Sequence, residues 1–179
     1  ALEDGGAKFG DIDNDGDLDL YLGTGAPPLE YIVPHVLFRN LGGERFVDVT
    51  ASARVGHLQK GHGIAFGDLD NDGDQDILAQ LGGFVQDDRF YNALFENPGN
   101  ANAWITLRLV GTRSNRAAIG TRIRIAVRTP GGERVLHRVV GTDGSFGAST
   151  LQQEVGLGDA THVERIDVEF ESAFARDYT

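Results

Sequence analysis

The sequence predicts an all-β protein: propeller-like blades that carry metal-binding loops, followed by a β-sandwich-like domain. Three observations support this class. A segment of the first half recurs after 57 residues, the second half alternates apolar and polar residues with the period of a strand, and no helical periodicity extends beyond about two turns. We expect two domains, residues 1–100 and 101–179, joined by the Asn-, Pro- and Gly-rich residues 97–102.

The first half is dominated by a repeat of eleven residues. Residues 9–19 read Phe-Gly-Asp-Ile-Asp-Asn-Asp-Gly-Asp-Leu-Asp, and residues 66–76 differ from them at only two positions. Residues 36–40 and 93–97 are related by the same shift. A fixed period of this length is typical of stacked units such as propeller blades. Two blades are too few to close a ring, so we expect further repeats, or self-association with another copy of the chain, to complete them.

The second half predicts an antiparallel sheet protein. Residues 104–110 alternate between apolar and other side chains, and a Thr-Pro-Gly-Gly turn at 129–132 separates two further strands at 122–128 and 135–140. A last, less regular strand is expected at 163–170. The strand before the turn has an apolar face and a basic face, formed by Ile123, Ile125 and Val127 and by Arg122, Arg124 and Arg128 respectively.

Each repeat contains a loop in which aspartates alternate with other residues, as a bound Ca²⁺ ion requires. Calcium takes six to eight oxygen ligands, so a loop that curls around it turns alternate side chains inward. We predict carboxylate ligands at loop positions 1, 3, 5 and 9, a backbone carbonyl at position 7, and a sharp glycine turn at position 6 (Gly16, Gly73). The predicted metal ligands of the two sites are Asp11, Asp13, Asp15, Asp17, Asp19, Asp68, Asp70, Asp72, Asp74 and Asp76.

Other metals and another calcium motif fit these loops less well. Zinc prefers His or Cys ligands, and magnesium retains more water than four or five protein ligands allow. An EF-hand needs a bidentate Glu at position 12 between two helices, whereas this position holds Leu22 and Ala79 and the flanking residues predict strands. Without a cation the crowded carboxylates would repel one another. The spacing therefore predicts calcium.

The net charge of −11 is concentrated in these loops. Without the ten loop aspartates it falls to about −1, so the acidity belongs to two sites and not to the surface in general. Such a chain is expected to repel nucleic acid. It contains no Cys, which excludes disulfides and Cys-based zinc sites, and no apolar run long enough to cross a membrane. Because it begins at Ala1 without Met, we expect that a leader or an upstream domain preceded it.

The Phe-Gly-Asp-x-Asp-x-Asp-Gly-x-x-Asp pattern resembles the FG-GAP (VCBS-type) repeats of integrin α-subunit propellers and secreted bacterial proteins. Residues 104–109, Gly111, residues 114–116 and 119–120, and the motifs at 145–147 and 156–158 resemble the ASPIC and UnbV domain, which follows FG-GAP repeats in the family that includes cartilage acidic protein and bacterial relatives. The resemblance implies an all-β, extracytoplasmic, calcium-binding module without established catalytic residues. Two departures stand out: relatives usually carry more repeats, and their Trp-Pro-x-Gly-like ending is replaced here at residues 168–172.

Four further features of the sequence could belong to an active site or a binding site. His57 and His62 flank a short turn, but a zinc or general-base role needs a third partner that the sequence does not provide. Ser145 lacks the Gly-x-Ser-x-Gly spacing of a nucleophile elbow. Residues 87–88 are interpreted as a solvated loop, with an outer contact to a calcium site as the alternative. The row of Arg122, Arg124 and Arg128 is either the wet face of a sheet or a site for an anionic glycan or an acidic partner.

The sequence therefore predicts a non-catalytic recognition or adhesion module in which two Ca²⁺ ions order the repeat loops. We expect a protein or glycan partner and an extracellular, periplasmic or cell-surface location. An accessory domain of a larger secreted enzyme that acts on glycans or peptides is the main alternative. An independent hydrolase that uses His57 or His62 is the weaker one.

Overall fold

A computed structural model describes residues 4–25, 33–83, 86–87, 89–141, 148 and 150–170. Strands dominate these ranges, which confirms the predicted all-β class. No helix in them is long and apolar enough to cross a membrane. The elements are β1 (Asp4–Gly10), β2 (Asp19–Thr24), β3 (Val36–Leu41), β4 (Arg45–Asp48), α1 (Thr50–Ala53), β5 (Gly61–Gly67), β6 (Asp76–Leu81), β7 (Ala93–Phe95), β8 (Ala103–Leu107), β9 (Arg122–Thr129), β10 (Gly132–Val139), β11 (Gln153–Gly158) and β12 (His162–Glu169).

The described residues group into two compact units. The first is built mainly from residues 4–13 and 17–100, and the second from 14–16, 101–141 and 150–170. In the first unit, each repeat forms an antiparallel meander, with strand orders β1-β2-β3-β4 and β5-β6-β7. The registers agree as well: Tyr21 pairs with Leu37 in the first meander, and Leu78 pairs with Leu94, each 57 residues later, in the second. The repeat in the sequence is therefore a repeat in structure.

The two meanders pack against each other through one face each. The ring of Phe66 on β5 lies over Gly10 on β1 so closely that a Cβ at Gly10 would approach ring atoms to 2.3 Å. A glycine is therefore required where these strands meet. The buried cluster between the meanders contains Tyr21, Leu37, Val55, Ile64, Phe66, Ile77, Ala79 and Leu81.

A polar network crosses this core. The Tyr21 hydroxyl donates to the carbonyl oxygen of Val55 at 2.8 Å and lies 3.1 Å from Nδ1 of His35. Burial lowers the pKa of His35, so its ring is neutral, and Nε2 carries the proton because it faces the carbonyl oxygen of Gln59 at 2.9 Å. Burial also raises the pKa of Tyr21, which keeps its hydroxyl protonated. Each of the two fully buried side chains thus satisfies a backbone carbonyl far from it in the sequence, 34 residues away for Tyr21 and 24 for His35.

Tyr21→Phe is expected to lower the free energy of unfolding by about 1–3 kcal/mol, because it removes the hydroxyl that satisfies a buried carbonyl and faces a buried imidazole. Urea unfolding followed by circular dichroism measures the change. The matched control is Tyr91→Phe, since Tyr91 is 95% exposed. Equal midpoints for the two variants would contradict a stabilising role for the network.

The second unit contains two sheets, with strand orders β10-β9-β12 and β11-β8. Its core draws on both sheets, as expected of a sandwich-like domain, and the predicted apolar face of β9 is buried in it. Thr129 and Gly132 form the predicted turn: Oγ1 of Thr129 donates to the carbonyl oxygen of Gly132 at 3.0 Å. The buried cluster contains Ile123, Ile125, Val127, Leu136, Val140, Val155 and Leu157.

The predicted edges of this unit differ from the observed strands in two places. The strand expected through residue 110 ends at Leu107 in β8. The last strand is irregular because the register of β12 on β9 shifts between Val163 and Arg165, so one extra residue interrupts the alternation. Ile166 still packs on the core. The motif at residues 145–147 lies outside the described residues.

Candidate metal centres

The two aspartate loops occupy equivalent places in the fold. Each connects the first strand of its meander to the second, β1 to β2 and β5 to β6. Their backbones match: Asn14 and Gly16 have φ of 54° and 91°, and Asn71 and Gly73 have φ of 63° and 94°. Positive φ is tolerated by Asn and favoured by Gly, which explains why the two residue types recur at these positions. The predicted glycine turn at position 6 is therefore present in both loops.

Three carboxylates converge in each loop, at positions 1, 3 and 5. One oxygen from each member of a set lies within 4.8 Å of the others. Oxygens bound to one calcium ion at about 2.3–2.6 Å can be at most about 5 Å apart, so the separations fit a shared ion. Within the described residues, these are the only sets of three such side chains. They are Asp11, Asp13 and Asp15, and Asp68, Asp70 and Asp72.

The aspartates at position 9 tie each loop to a later part of its meander, to Asn40 on β3 and to Asn97 just after β7. Each of these aspartates accepts two backbone N–H groups, one on each carboxylate oxygen. One N–H comes from the second residue of the loop, and the other comes from an asparagine 21 residues beyond the aspartate. Both side chains are buried and lie outside the sets of three. That they also bind metal stays a prediction. The donors are Ile12 at 2.9 Å and Asn40 at 2.7 Å for Asp19, and Leu69 at 3.1 Å and Asn97 at 2.9 Å for Asp76.

At position 7, the carboxylate of Asp74 contacts a residue outside the loop. Its Oδ1 accepts a hydrogen bond from Nδ2 of Asn100 at 2.8 Å. Its backbone N–H donates to Asp72 Oδ1 at 3.0 Å. These contacts agree with a ligand role for the carbonyl oxygen rather than the carboxylate. The role of the carbonyls of Asp17 and Asp74 stays a prediction.

One aspartate in each loop has a raised pKa, chiefly because of desolvation. Burial raises the pKa of Asp19 to about 7, against the opposing effect of its two backbone hydrogen bonds, and the charges of Asp13 and Asp11 raise it further. Desolvation, followed by repulsion from Asp72, raises the pKa of Asp70. At these two carboxyl groups the ionised form is less favourable than in a free aspartate, and a nearby cation would offset this effect.

The two loops differ in what surrounds them. In the first, Arg39 on β3 forms an ion pair with Asp13, and the N–H of the buried Asp11 donates to Oε1 of Gln75 at 2.7 Å. The position equivalent to Arg39 in the second repeat holds Glu96. In the second loop Asp70 and Asp72 are exposed. At this position the first repeat therefore has a basic residue that offsets the charge of Asp13, whereas the second repeat has an acidic residue.

The tip of the first loop, residues 14–16, belongs to the second unit. There the N–H of Gly158 donates to the carbonyl oxygen of Asn14 at 2.8 Å, and Arg138 donates to that of Gly16 at 3.2 Å. Arg134 donates to the carbonyl oxygen of Asp15. Sequence reasoning missed these arginines and Arg39. The only available signal was the exchange of Arg39 for Glu96 between otherwise similar repeats.

Where the structure describes them, the other sequence candidates form no further set of three metal-ligating side chains. The rings of His35 and His57 are 6.2 Å apart. Among the described residues, neither His57 nor His62 joins a set of three metal-ligating side chains. Asp87 is exposed, and Asp88 and Ser145 lie outside the described residues.

The arginine face of β9 is largely paired within its own sheet. Arg124 contacts Asp167 at 3.2 Å and Arg128 contacts Glu164 at 2.6 Å, while Arg122 lies opposite Glu169 in the register. These acids on β12 offset the positive charge, which favours the interpretation as a wet sheet face over an anion site.

Comparisons with known proteins agree with an architecture in which a repeat region that carries the two loops is followed by a second domain. Residues 11–79 match the model of an FG-GAP-like repeat, and residues 111–177 match that of the ASPIC and UnbV domain. The first match contains both aspartate loops, and the second contains strands β9 to β12. A search of curated proteins found no match. The chain therefore carries an FG-GAP-like repeat region followed by an ASPIC and UnbV domain.

Proposed function

We propose that each loop binds one Ca²⁺ ion and that the calcium-bound repeats belong to a recognition or adhesion module of an extracytoplasmic protein. The observation that carries the proposal is the duplicated set of three carboxylates within 4.8 Å, on loops with the same backbone conformation. FG-GAP and UnbV domains are generally non-catalytic, which supports a binding role over an enzymatic one.

The role of the ion in this proposal is structural. Calcium supplies positive charge and six to eight coordination positions for oxygen. The carboxylates at positions 1, 3 and 5 hold it, while Asp19 connects the first loop to β3 and Asp76 connects the second loop to the residues just after β7. Ordering the loop therefore also orders the strands on either side of it. Extracellular calcium modules often bind at about 10⁻⁴–10⁻³ M, so millimolar calcium outside the cytoplasm would occupy the sites.

Asp13→Ala and Asp70→Ala are each expected to remove one of two bound ions, because each change deletes a carboxylate from one set of three. Isothermal titration calorimetry on protein stripped of metal measures the stoichiometry. Asp48→Ala is the control, since Asp48 is an exposed aspartate outside both loops. Two ions retained in either loop variant would contradict the ligand assignment. The absence of calcium binding to the unaltered chain would contradict the proposed function.

Arg39→Gln is expected to raise the calcium affinity of the first site by up to about fivefold. The guanidinium that pairs with Asp13 competes with the ion, and a half-exposed pair contributes about 0.2–1 kcal/mol. Arg45→Gln changes the same residue type on the exposed strand β4 and is the control. The same titration resolves the two affinities. An unchanged calcium affinity of the first site would show that Arg39 does not compete with calcium.

The ligand of the module is proposed to be a protein or a glycan. A glycan array probed in calcium and again in EGTA tests the glycan alternative, because calcium-ordered repeats should lose binding when the ion is removed. Glycan binding that is equally strong in calcium and in EGTA would show that recognition does not depend on the metal sites.

A further inference from the structure

The second repeat contacts the backbone at the start of the first aspartate loop. Oε1 of Gln75, at position 8 of the second loop, accepts a hydrogen bond from the N–H of Asp11 at 2.7 Å. Nδ2 of Asn97 donates to the carbonyl oxygen of Ile12 at 2.7 Å. Two hydrogen bonds from the second repeat therefore hold the segment that carries the position 1 carboxylate of the first loop.

Both contacts are anchored in the second loop. The N–H of Asn97 donates to Oδ1 of Asp76 at 2.9 Å, and its Nδ2 also donates to the carbonyl oxygen of Gln75 at 3.2 Å. Asp76 in turn accepts the N–H of Leu69, at position 2 of the second loop, at 3.1 Å. The side chain that reaches Ile12 is therefore fixed by residues at positions 8 and 9 of the second loop.

A continuous chain of hydrogen bonds joins the two loops as a result. Oδ2 of Asp19 accepts the N–H of Ile12 at 2.9 Å, and the carbonyl oxygen of Ile12 accepts a hydrogen bond from Asn97. The N–H of Asn97 binds Asp76. Asp19 and Asp76 are the position 9 aspartates, and both are buried. Only Ile12 and Asn97 lie between these two aspartates along the chain of hydrogen bonds.

The link is not a copy of a contact inside one repeat. The residue equivalent to Gln75 in the first repeat is Leu18, which has no side-chain amide. The residue equivalent to Asn97 is Asn40, whose Nδ2 donates at 3.1 Å to the carbonyl oxygen of Leu18, within its own repeat. The glutamine and the contact of Asn97 with Ile12 therefore belong to the link between the repeats, rather than to the structure that the two loops share.

We propose that Gln75 and Asn97 couple the two loops, so that calcium at the second site raises the calcium affinity of the first. This inference rests on the proposed calcium binding. An ion that orders the second loop also orders Gln75 and Asp76, and Asp11 is then held in place before its own ion arrives. The ion at the first site has less of its loop left to order, which gives positive cooperativity. By linkage, calcium at the first site raises the affinity of the second by the same factor.

The direction of this effect distinguishes it from charge alone. An ion in one loop offsets negative charge near the other, so electrostatics by itself would weaken the binding of the next ion. Hydrogen bonds that transmit order from loop to loop strengthen that binding instead. Coupling between two sites typically changes affinity by about 5–150-fold, and we expect a factor near the lower end because the link consists of two hydrogen bonds.

Calcium titrations followed by two-dimensional NMR test the proposal, because the amide signals of Gly16 and Gly73 report on the two sites separately. The N–H of Gly73 donates to Oδ2 of Asp68 at 3.1 Å, so its signal responds when that carboxylate binds an ion. Gln75→Leu introduces the residue found at position 8 of the first loop and leaves every carboxylate in place. We expect it to lower both affinities about fivefold. Gln80→Leu, the same substitution at an exposed position of β6, is the control and should bind as the unaltered chain does.

A second background separates coupling from a local effect of Gln75 on Asp11. Asp70→Ala removes the ion from the second site, and in that background the addition of Gln75→Leu should no longer weaken the first site. Such non-additivity measures the coupling of the two sites. Equal weakening of the first site in both backgrounds, or affinities that Gln75→Leu leaves unchanged, would overturn the inference while both calcium sites remain. A chain that binds no calcium at all would overturn the proposed function as well.

Discussion

Removal of calcium with EGTA is expected to lower the melting temperature of the first unit by roughly 10–20 °C. At a calcium concentration ten times Kd, each site adds about 1.4 kcal/mol to the free energy of unfolding. Two sites add about 3 kcal/mol, and a unit of about 100 residues shifts by roughly 4–8 °C per kcal/mol. Differential scanning calorimetry with and without the chelator measures the shift.

The loop variants provide the control for this result. A double variant that carries Asp13→Ala and Asp70→Ala should melt in calcium as the unaltered chain melts in EGTA, and added calcium should not raise its midpoint. Magnesium at the same concentration should stabilise the unaltered chain less, because it prefers fewer protein ligands. A midpoint that does not change on chelation would mean that the loops do not shape the fold.

The metal-free protein should also respond to pH in a defined direction. The pKa of Asp19 is raised from 3.8 to about 7 in the folded chain, chiefly by burial. Its neutral form therefore favours folding below pH 3.8, and this contribution is lost as pH rises through about 7. In EGTA the melting temperature should accordingly be higher at pH 5.5 than at pH 8. In calcium the ion offsets the charge, so the difference should be smaller.

Gly10→Ala is expected to lower the free energy of unfolding by about 1–3 kcal/mol or more, because overpacking forces a buried side chain out of its place. The new Cβ would lie 2.3 Å from a ring atom of Phe66, which is itself buried between the repeats. A small movement of a flexible side chain end cannot relieve this contact. Urea unfolding measures the loss.

The matched control is Gly67→Ala, the same substitution 57 residues later in the same Phe-Gly-Asp motif. A Cβ at this position meets only a Leu69 methyl carbon at 4.0 Å among the described residues, so the midpoint should change little. Equal destabilisation by the two variants would show that backbone preference, and not the packing of Phe66, determines the effect.

Much of the fold could be predicted because its signals are local. The alternation of apolar residues identified the buried face of β9, and the Thr-Pro-Gly-Gly turn joined it to β10 as expected. The loops were recognisable because their carboxylates, Asn and Gly lie within nine residues of one another. The convergence of Asp11, Asp13 and Asp15 is a property of a short chain segment with a defined backbone.

Other features depend on residues far apart in the chain. The ion pair of Arg39 with Asp13 arises because β3 runs beside β2, where the first loop ends. The arginines of β9 are offset by acids that β12 brings to the same face. The propeller arrangement and the identity of the partner stay predictions, because neither follows from the two repeats alone.

The sequence by itself determined the all-β class, the repeat and the two acidic loops, since hydrophobic period, turn residues and ligand spacing act over short distances. Only the tertiary structure decided that Gly10 is covered while Gly67 is open, and that Asp13 has an arginine beside it. The physical reason is that packing and charge pairing depend on neighbours in space, and two nearly identical segments can have different neighbours.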